Sequence, residues 1–363
     1  MFLTIIVFIL IFGLIVFVHE LGHFVLAKRA GIKVEEFGFG FPPRILSFKK
    51  GETVYSLNLF PIGGFVKIHG EDGKKESDPD KDRAFYSKTI WTRAKILTAG
   101  VVMNFLLAII LLSVGYWMGL PAMIDSDTVG DTSREKIQIT EVVNDSPAYE
   151  AGIRMGDTID SFKLEGEAFE FFKISEVQEF INENRGQEII IVISRGDEVL
   201  EKNITPRIVH SESEGPLGVG LVKTAIISYP WYQSLYKGLM STISLTFMII
   251  AALGTLLWQL ITTGKLAMEI AGPVGIFNLT DQATTLGFIY VLQLTAILNI
   301  HIAIINILPF PALDGGRLVF LAIEKIKGSP VSQKIERIVN ASGFIFLILL
   351  MLAVTWRDIL KLF

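Results

Sequence analysis

Val18-His19-Glu20-Leu21-Gly22-His23 ends a stretch, residues 1 to 18, that carries no charge and is interrupted only by Thr4 and Gly13 in a run dominated by Ile, Leu, Val and Phe. On an α-helix His19 and His23 are one turn apart, so both imidazoles leave the same face and can ligate one tetrahedral zinc ion. Glu20 stands beside the position left open, where it can take a proton from a water polarised by the metal and return it to a leaving amine. Ionisable groups this deep in an apolar helix are expensive and mark function. The stretch therefore predicts a zinc-binding helix that also crosses a membrane.

Composition agrees. Of 363 residues, 51% are hydrophobic and 19% charged, and the mean hydropathy of +0.50 is too high for a soluble enzyme of this length. A net charge of −4 leaves no basic field, and no cluster of Lys and Arg supplies one locally, so no nucleic acid is expected as a partner. The absence of cysteine excludes disulfides, a thiol nucleophile and thiolate-bound metal, which leaves His and carboxylates as the only strong metal ligands. The first helix lacks a basic start and a small-residue cleavage site, so it is expected to be retained. Lys28, Arg29, Lys33, Arg44, Lys49 and Lys50 follow it, which puts residues after about 27 on the cytoplasmic side.

Working outward, residues 1–30 are the first transmembrane helix, and 31–92 hold an alternating hairpin pattern followed by a polar loop. The hairpin is punctuated by Gly38, Gly40, Pro42-Pro43, Pro61 and Gly63-Gly64. Its last part, around Gly63, Gly64 and Phe65, is a candidate substrate-binding edge strand. It either offers that edge to an extended peptide or merely covers the cytoplasmic mouth. Residues 93–120 read as a second transmembrane helix in which Asn104 is expected to make a polar contact to a neighbouring helix.

Residues 128–208 change to charged, strand-like sequence with a helix near 175 to 184, the composition of a soluble α+β domain. Ser146-Pro147-Ala148 followed by Ala151-Gly152-Ile153-Arg154-Met155-Gly156-Asp157 resembles the signature of PDZ domains of bacterial proteases. Such a domain either captures peptides or acts as a steric gate. Residues 230–287 are expected to be interfacial or re-entrant amphipathic helices. A full crossing at 239 to 261 would carry Asp314 to the face opposite His23 unless residues 266 to 287, a poor spanning candidate, re-cross.

Residues 288–317 form the third transmembrane helix, broken at Pro309 and Pro311 just before Asp314, and 338–358 form the fourth. A carboxylate at a proline-broken membrane helix end makes Asp314 the candidate third zinc ligand. Glu35 and Glu36 are alternative carboxylates, more simply read as solvated. His301 is 13 residues from Asp314, about 19 Å along a helix, and cannot share its metal. His69 and His210 fall in polar segments and look incidental.

Taken with Pro61-Ile62-Gly63-Gly64-Phe65-Val66-Lys67, Gly272-Pro273-Val274-Gly275-Ile276 and the run from Asn306 to Gly316, these motifs resemble the bacterial site-2 protease family of intramembrane zinc metalloproteases, of the regulator of sigma-E protease type. The resemblance covers nearly the whole chain. It implies a mainly α membrane protein, with a four-transmembrane-helix zinc metalloprotease core, a membrane-re-entrant β-hairpin and one inserted PDZ domain. It also implies Zn2+ held by His19, His23 and Asp314, Glu20 as general base, and Asn306 as a substrate-binding residue. The implied setting is the bacterial cytoplasmic (inner) membrane, with the PDZ domain extracytoplasmic and the active site toward the cytoplasm. The implied partners are membrane lipid and a single-pass membrane protein such as an anti-sigma factor already shortened by a first protease. Clearance of remnant signal peptides and a non-catalytic PDZ scaffold are the alternatives. One PDZ signature is found where the enterobacterial relative has two in tandem.

Overall fold

A computed structural model of the chain describes residues 1–71, 73, 78–123, 131–196, 198–209, 214–264 and 271–360. In chain order the elements begin with α1 (Phe2–Arg29), β1 (Val34–Lys50), β2 (Thr53–Ile68), α2 (Ile90–Met118), β3 (Leu120–Met123) and β4 (Asp131–Val142). There follow α3 (Pro147–Glu150), β5 (Thr158–Leu164), β6 (Glu167–Phe169), α4 (Ile174–Glu183), β7 (Ile189–Arg195), β8 (Glu198–Ile204) and β9 (Val219–Ser228). The chain closes with α5 (Trp231–Thr263), α6 (Pro273–Leu286), α7 (Phe288–Ile307), α8 (Asp314–Lys327) and α9 (Gln333–Leu360). They fall into two compact units. One comprises Met1–Leu112, Gly238–Thr280 and Leu294–Phe363, and the other Ser113–Lys237 and Asp281–Gln293.

In the first unit α1 and α2 meet at small residues. A methyl group at Gly22 would lie 2.5 Å from the Ala99 carbonyl oxygen, so the two backbones touch there. Lipid gives helices no hydrophobic reason to associate, and close backbone packing at small residues takes its place. β1 and β2 are antiparallel neighbours whose register shifts repeatedly, because each strand folds back on itself. Phe37 thus pairs with both Val66 and Tyr55, Gly38 with both Phe65 and Ser56, and Phe39 with both Gly64 and Leu57. Segment 34–41 consequently lies between segments 53–59 and 64–68. The latter forms an outer edge that no other strand covers among the described residues.

Among the described residues five helices, where four were expected, are long and apolar enough to cross a membrane: α1, α2, α5, α7 and α9. The unexpected one is α5. It is a single 33-residue helix with no break inside 239 to 261, the segment expected to be interfacial or re-entrant. Leu245, Ile249 and Leu253 pack on Ala108 of α2 and on Ile300 and Ile304 of α7. Those contacts join the middle of α5 to the second half of α2 and the C-terminal part of α7. Parity still constrains the path, because Asp314 meets His19 and His23 in one cluster. If α5 crosses fully, the way back to α7 must use α6. The 14-residue α6, about 21 Å long, is too short to cross alone.

The second unit contains a sheet in the order β3-β9-β4-β5-β7-β8, with β6 paired to β5. Val177, Phe180 and Ile181 of α4 cover a core of Phe162, Ile189, Ile191 and Ile193, all buried. The sheet reaches beyond the expected 128–208, since β9 pairs with β4 from Val142↔Val219 to Asp131↔Ser228 and with β3 on its other side. Residue 128 itself lies outside the described residues. The PDZ-like signature has a structural role: the Asp157 carboxylate is 1% exposed, held by the Arg195 guanidinium at 2.7 Å and the Arg154 N–H at 2.8 Å.

Candidate metal centre

His19 and His23 project from the last third of α1, and Asp314 opens α8. Two glycines allow that approach. A methyl group at Gly315 would lie 2.0 Å from the Leu308 carbonyl oxygen, and one at Gly316 would lie 2.3 Å from that of Phe310, so the chain can turn sharply under the end of α7. Ala312 adopts a left-handed φ of 71°, unusual for a residue with a side chain. The Asn340 carboxamide of α9 accepts a hydrogen bond from its N–H at 3.2 Å. Thus α9, which has no residue in the cluster, fixes the loop that delivers Asp314.

Three ligand atoms converge. His19 Nε2 and His23 Nε2 are 3.2 Å apart and stand 3.1 Å and 3.3 Å from Asp314 Oδ2. A tetrahedral zinc with bonds of about 2.05 Å separates its ligand atoms by roughly 3.3 Å, so the spacing fits the ion. Protonation fits as well. His23 Nδ1 donates to the Ile96 carbonyl at 2.8 Å, which leaves Nε2 of the neutral ring with a bare lone pair. Asp314 Oδ2 is buried without a hydrogen-bonded proton. Three electron-rich atoms this close favour a shared positive charge, and their spacing suits zinc.

Behind His19 lies a buried amide pair that sequence reasoning placed only in part. The Asn104 carboxamide reaches His19 Nδ1 at 3.4 Å, and its own backbone carbonyl accepts from Asn299 Nδ2 at 2.5 Å; both asparagines are 0% exposed. Asn104 Oδ1 has no partner in the orientation that turns Nδ2 toward the ring. The opposite amide orientation lets Oδ1 accept the His19 Nδ1–H and frees Nε2 for metal. α2 carries a second device, Gly100. A methyl group there would lie 2.5 Å from His23 Nε2 and 2.6 Å from His19 Cε1. The only sequence signal for Gly100 is a pair of small residues, Ala99-Gly100, inside an apolar helix.

A cavity of about 220 Å³ holds His19, Glu20, His23 and Asp314 together with Phe65 and Arg317. Glu20 is half-buried, and its Cγ lies 3.3 Å from where a methyl group of Gly64 would stand, so the edge segment 64–68 passes directly over the carboxylate. Gly63, at φ 125°, fits against the ring of Phe41. Asn306 sits in the last turn of α7, half-buried, and does not line this cavity.

The remaining candidates resolve into scaffold. Glu35 pairs with Lys67 at 2.8 Å, and Glu36 with Arg44 at 2.6 Å. His301 donates to the Ile297 carbonyl within α7. His69, expected to be incidental, is instead clamped between Glu35 at 2.9 Å and Asp78 at 3.0 Å, the latter also receiving the Tyr86 hydroxyl at 2.8 Å. This ties the edge segment to the loop before α2. His210 lies outside the described residues.

Comparison with known proteins gives a concordant result. Residues 7–350 match the family model described as Peptidase family M50. The chain is 35% identical to the zinc metalloprotease RasP of Bacillus licheniformis, over 99% of each chain. It is 33% identical to the regulator of sigma-W protease RasP of Bacillus subtilis, again over 99% of each. Among solved structures, the PDZ domain of an SdrC-like protein from Listeria monocytogenes is 21% identical, covering 25% of this chain and 92% of that one at a TM-score of 0.21.

Proposed function

This chain belongs to peptidase family M50, the site-2 protease family of zinc metalloproteases, and from that premise we propose which residues carry the reaction and what it acts on. The protein is a zinc metalloendopeptidase in a multi-pass membrane chain. In the proposed site His19, His23 and Asp314 would hold the zinc ion, which when bound would supply Lewis acidity toward water and the scissile carbonyl. The Ile96 carbonyl and Asn104 keep the two imidazoles in the tautomer that presents Nε2.

Glu20 takes the proton as the water oxygen bonds to the carbonyl carbon, then passes it to the amine nitrogen as the C–N bond breaks. A helical substrate hides its peptide bonds, so it must unwind first. Gly64, Phe65 and Val66 provide an edge on which extended substrate can add as a strand, with the scissile bond beside Glu20. Support comes from Gly64, which has no side chain to hold that strand away from the cavity. Asn306 has a weaker claim, since it stands at the neighbouring helix end outside the cavity lining.

The substrate in this reading is a single-pass membrane protein. The name of the Bacillus subtilis relative, regulator of sigma-W protease, favours an anti-sigma factor over remnant signal peptides. The proposed setting is the bacterial cytoplasmic membrane with the metal site toward the cytoplasm, supported by the basic residues from Lys28 to Lys50 after α1. The inserted sheet domain is in this reading a single extracytoplasmic PDZ unit that either captures peptides or acts as a steric gate.

The observation that carries the site is the convergence of His19, His23 and Asp314 ligand atoms, all within 4.8 Å of one another. Reconstituting the full chain with a single-span substrate tests it. Glu20→Gln is expected to abolish cleavage and keep zinc, while Asp314→Asn lowers zinc content. Equal cleavage by Glu20→Gln and wild type, or unchanged zinc in Asp314→Asn, would overturn the assignment.

A further inference from the structure

Between α1 and α2, on the side away from the His pair, a groove of about 450 Å³ is lined by Val25, Leu26, Val102 and Met103, with Arg29 and Lys95 at one end. Both helices have the length and apolarity of membrane spans, so the groove opens into lipid. Its two ends differ chemically. The apolar part continues toward the centre of α1 and α2, while the two cations stand at the last turn of α1 and within the first two turns of α2.

Several cations near them are taken up by carboxylates. Lys28, Lys33, Arg44, Arg83 and Arg93 each engage a carboxylate. Arg29 and Lys95 are exposed and have no acidic partner among the described residues. Two unpaired cations held over a hydrocarbon-lined groove form a site for a negative headgroup with an acyl chain beneath it.

We propose that this groove binds one anionic glycerophospholipid of the leaflet that faces Arg29 and Lys95. The phosphodiester lies between the two cations, and an acyl chain runs along Val25, Leu26, Val102 and Met103. The Arg side chain suits the phosphate, presenting several N–H groups in a planar fork, and Lys adds a point charge. The floor of the groove includes Gly22 and Ala99, the point where α1 and α2 touch. A bound lipid therefore braces the crossing that sets Gly100 under His19 and His23. The inference depends on the chain being a membrane protein and is independent of the substrate proposed above.

Native mass spectrometry of the full chain in uncharged detergent, with phosphatidylglycerol and phosphatidylcholine at equal concentration, tests this. Each cation near an anionic headgroup is worth about fivefold in affinity, so wild type is expected to retain phosphatidylglycerol in roughly 25-fold preference. Arg29→Gln and Lys95→Gln should each lower the preference about fivefold, and together abolish it. Val102→Trp, which fills the apolar part, should remove both lipids. Zinc content, read in the same spectra, is expected to persist in all four variants. Equal retention of the two lipids by wild type, an undiminished preference in the double variant, or lipid retention by Val102→Trp would each overturn the proposal.

Discussion

Gly100→Ala adds one methyl group behind the metal centre without touching any ligand. The added carbon would lie 2.5 Å from His23 Nε2, 2.6 Å from His19 Cε1 and 2.8 Å from His19 Nδ1. Ordinary contact begins near 3.4 Å, so one partner must retreat by close to an ångström. Retreat of α2 from α1 would open the close backbone packing of Gly22 on the Ala99 carbonyl and the Gly100 N–H, which holds the two helices together. The imidazoles must therefore move, and metal bonds tolerate shifts of only about 0.2 Å. Overpacking of this kind costs about 1–3 kcal/mol, equivalent to roughly 5- to 150-fold in zinc affinity if the strain falls on the bound geometry. Competition with a fluorescent chelator, on detergent-solubilised protein, measures that affinity. Gly254→Ala is the control, since nothing lies within 4 Å of a methyl group there. Unchanged affinity in Gly100→Ala, with Gly254→Ala equally unchanged, would refute the reasoning that the α1–α2 crossing sets the ligand geometry.

Asn104→Leu, which cannot accept the His19 Nδ1–H, is expected to weaken zinc binding about 10- to 100-fold in the same titration, whereas Asn104→Asp retains an acceptor and most of the affinity. Ala312→Val, a branched side chain forced to φ 71°, should lower stability by about 1–2 kcal/mol in thermal melts, while Ala312→Gly is tolerated. Asn340→Ala removes the bond to the Ala312 N–H and is expected to cost about 0.5–1.5 kcal/mol, seen as a lower melting temperature. His69 has a pKa raised above 6.5, first by its bond to Glu35 and, against the cost of burial, by Asp78. Its contribution is complete below the unfolded value and fades as pH rises through the folded one. The melting-temperature gap between wild type and His69→Gln should therefore be larger near pH 6 than near pH 9, and an equal gap would contradict the clamp.

The chemistry proposed for the site could be read from sequence because its pattern is local. His19, Glu20 and His23 share one helical turn, and helical periodicity fixes their relative directions before any tertiary contact forms. Asp314 could be singled out because a carboxylate beside two prolines at a membrane helix end is too costly to serve packing alone. Residues 52 to 68 declared themselves as β by alternation. What alternation cannot convey is which segment pairs with which. Residues 34–41 lie between two other segments, and β9 joins a sheet whose nearest sequence neighbour, β8, is at its far edge.

Long-range contacts hid the remaining features in the same way. Gly100 matters through two imidazoles on another helix, Asn104 through His19 and Asn299, and Asn340 through Ala312 28 residues away. α5 shows the limit of counting apolar residues, since its length permits a crossing that the shared position of Asp314 and His23 constrains. Residue order fixed the types of group available to a metal and the helix that presents two of them. Only the packing of α1, α2, α7, α8 and α9 decided that three lone pairs meet at metal-binding distance, because that meeting depends on backbone approaches of a few ångströms that no local pattern records.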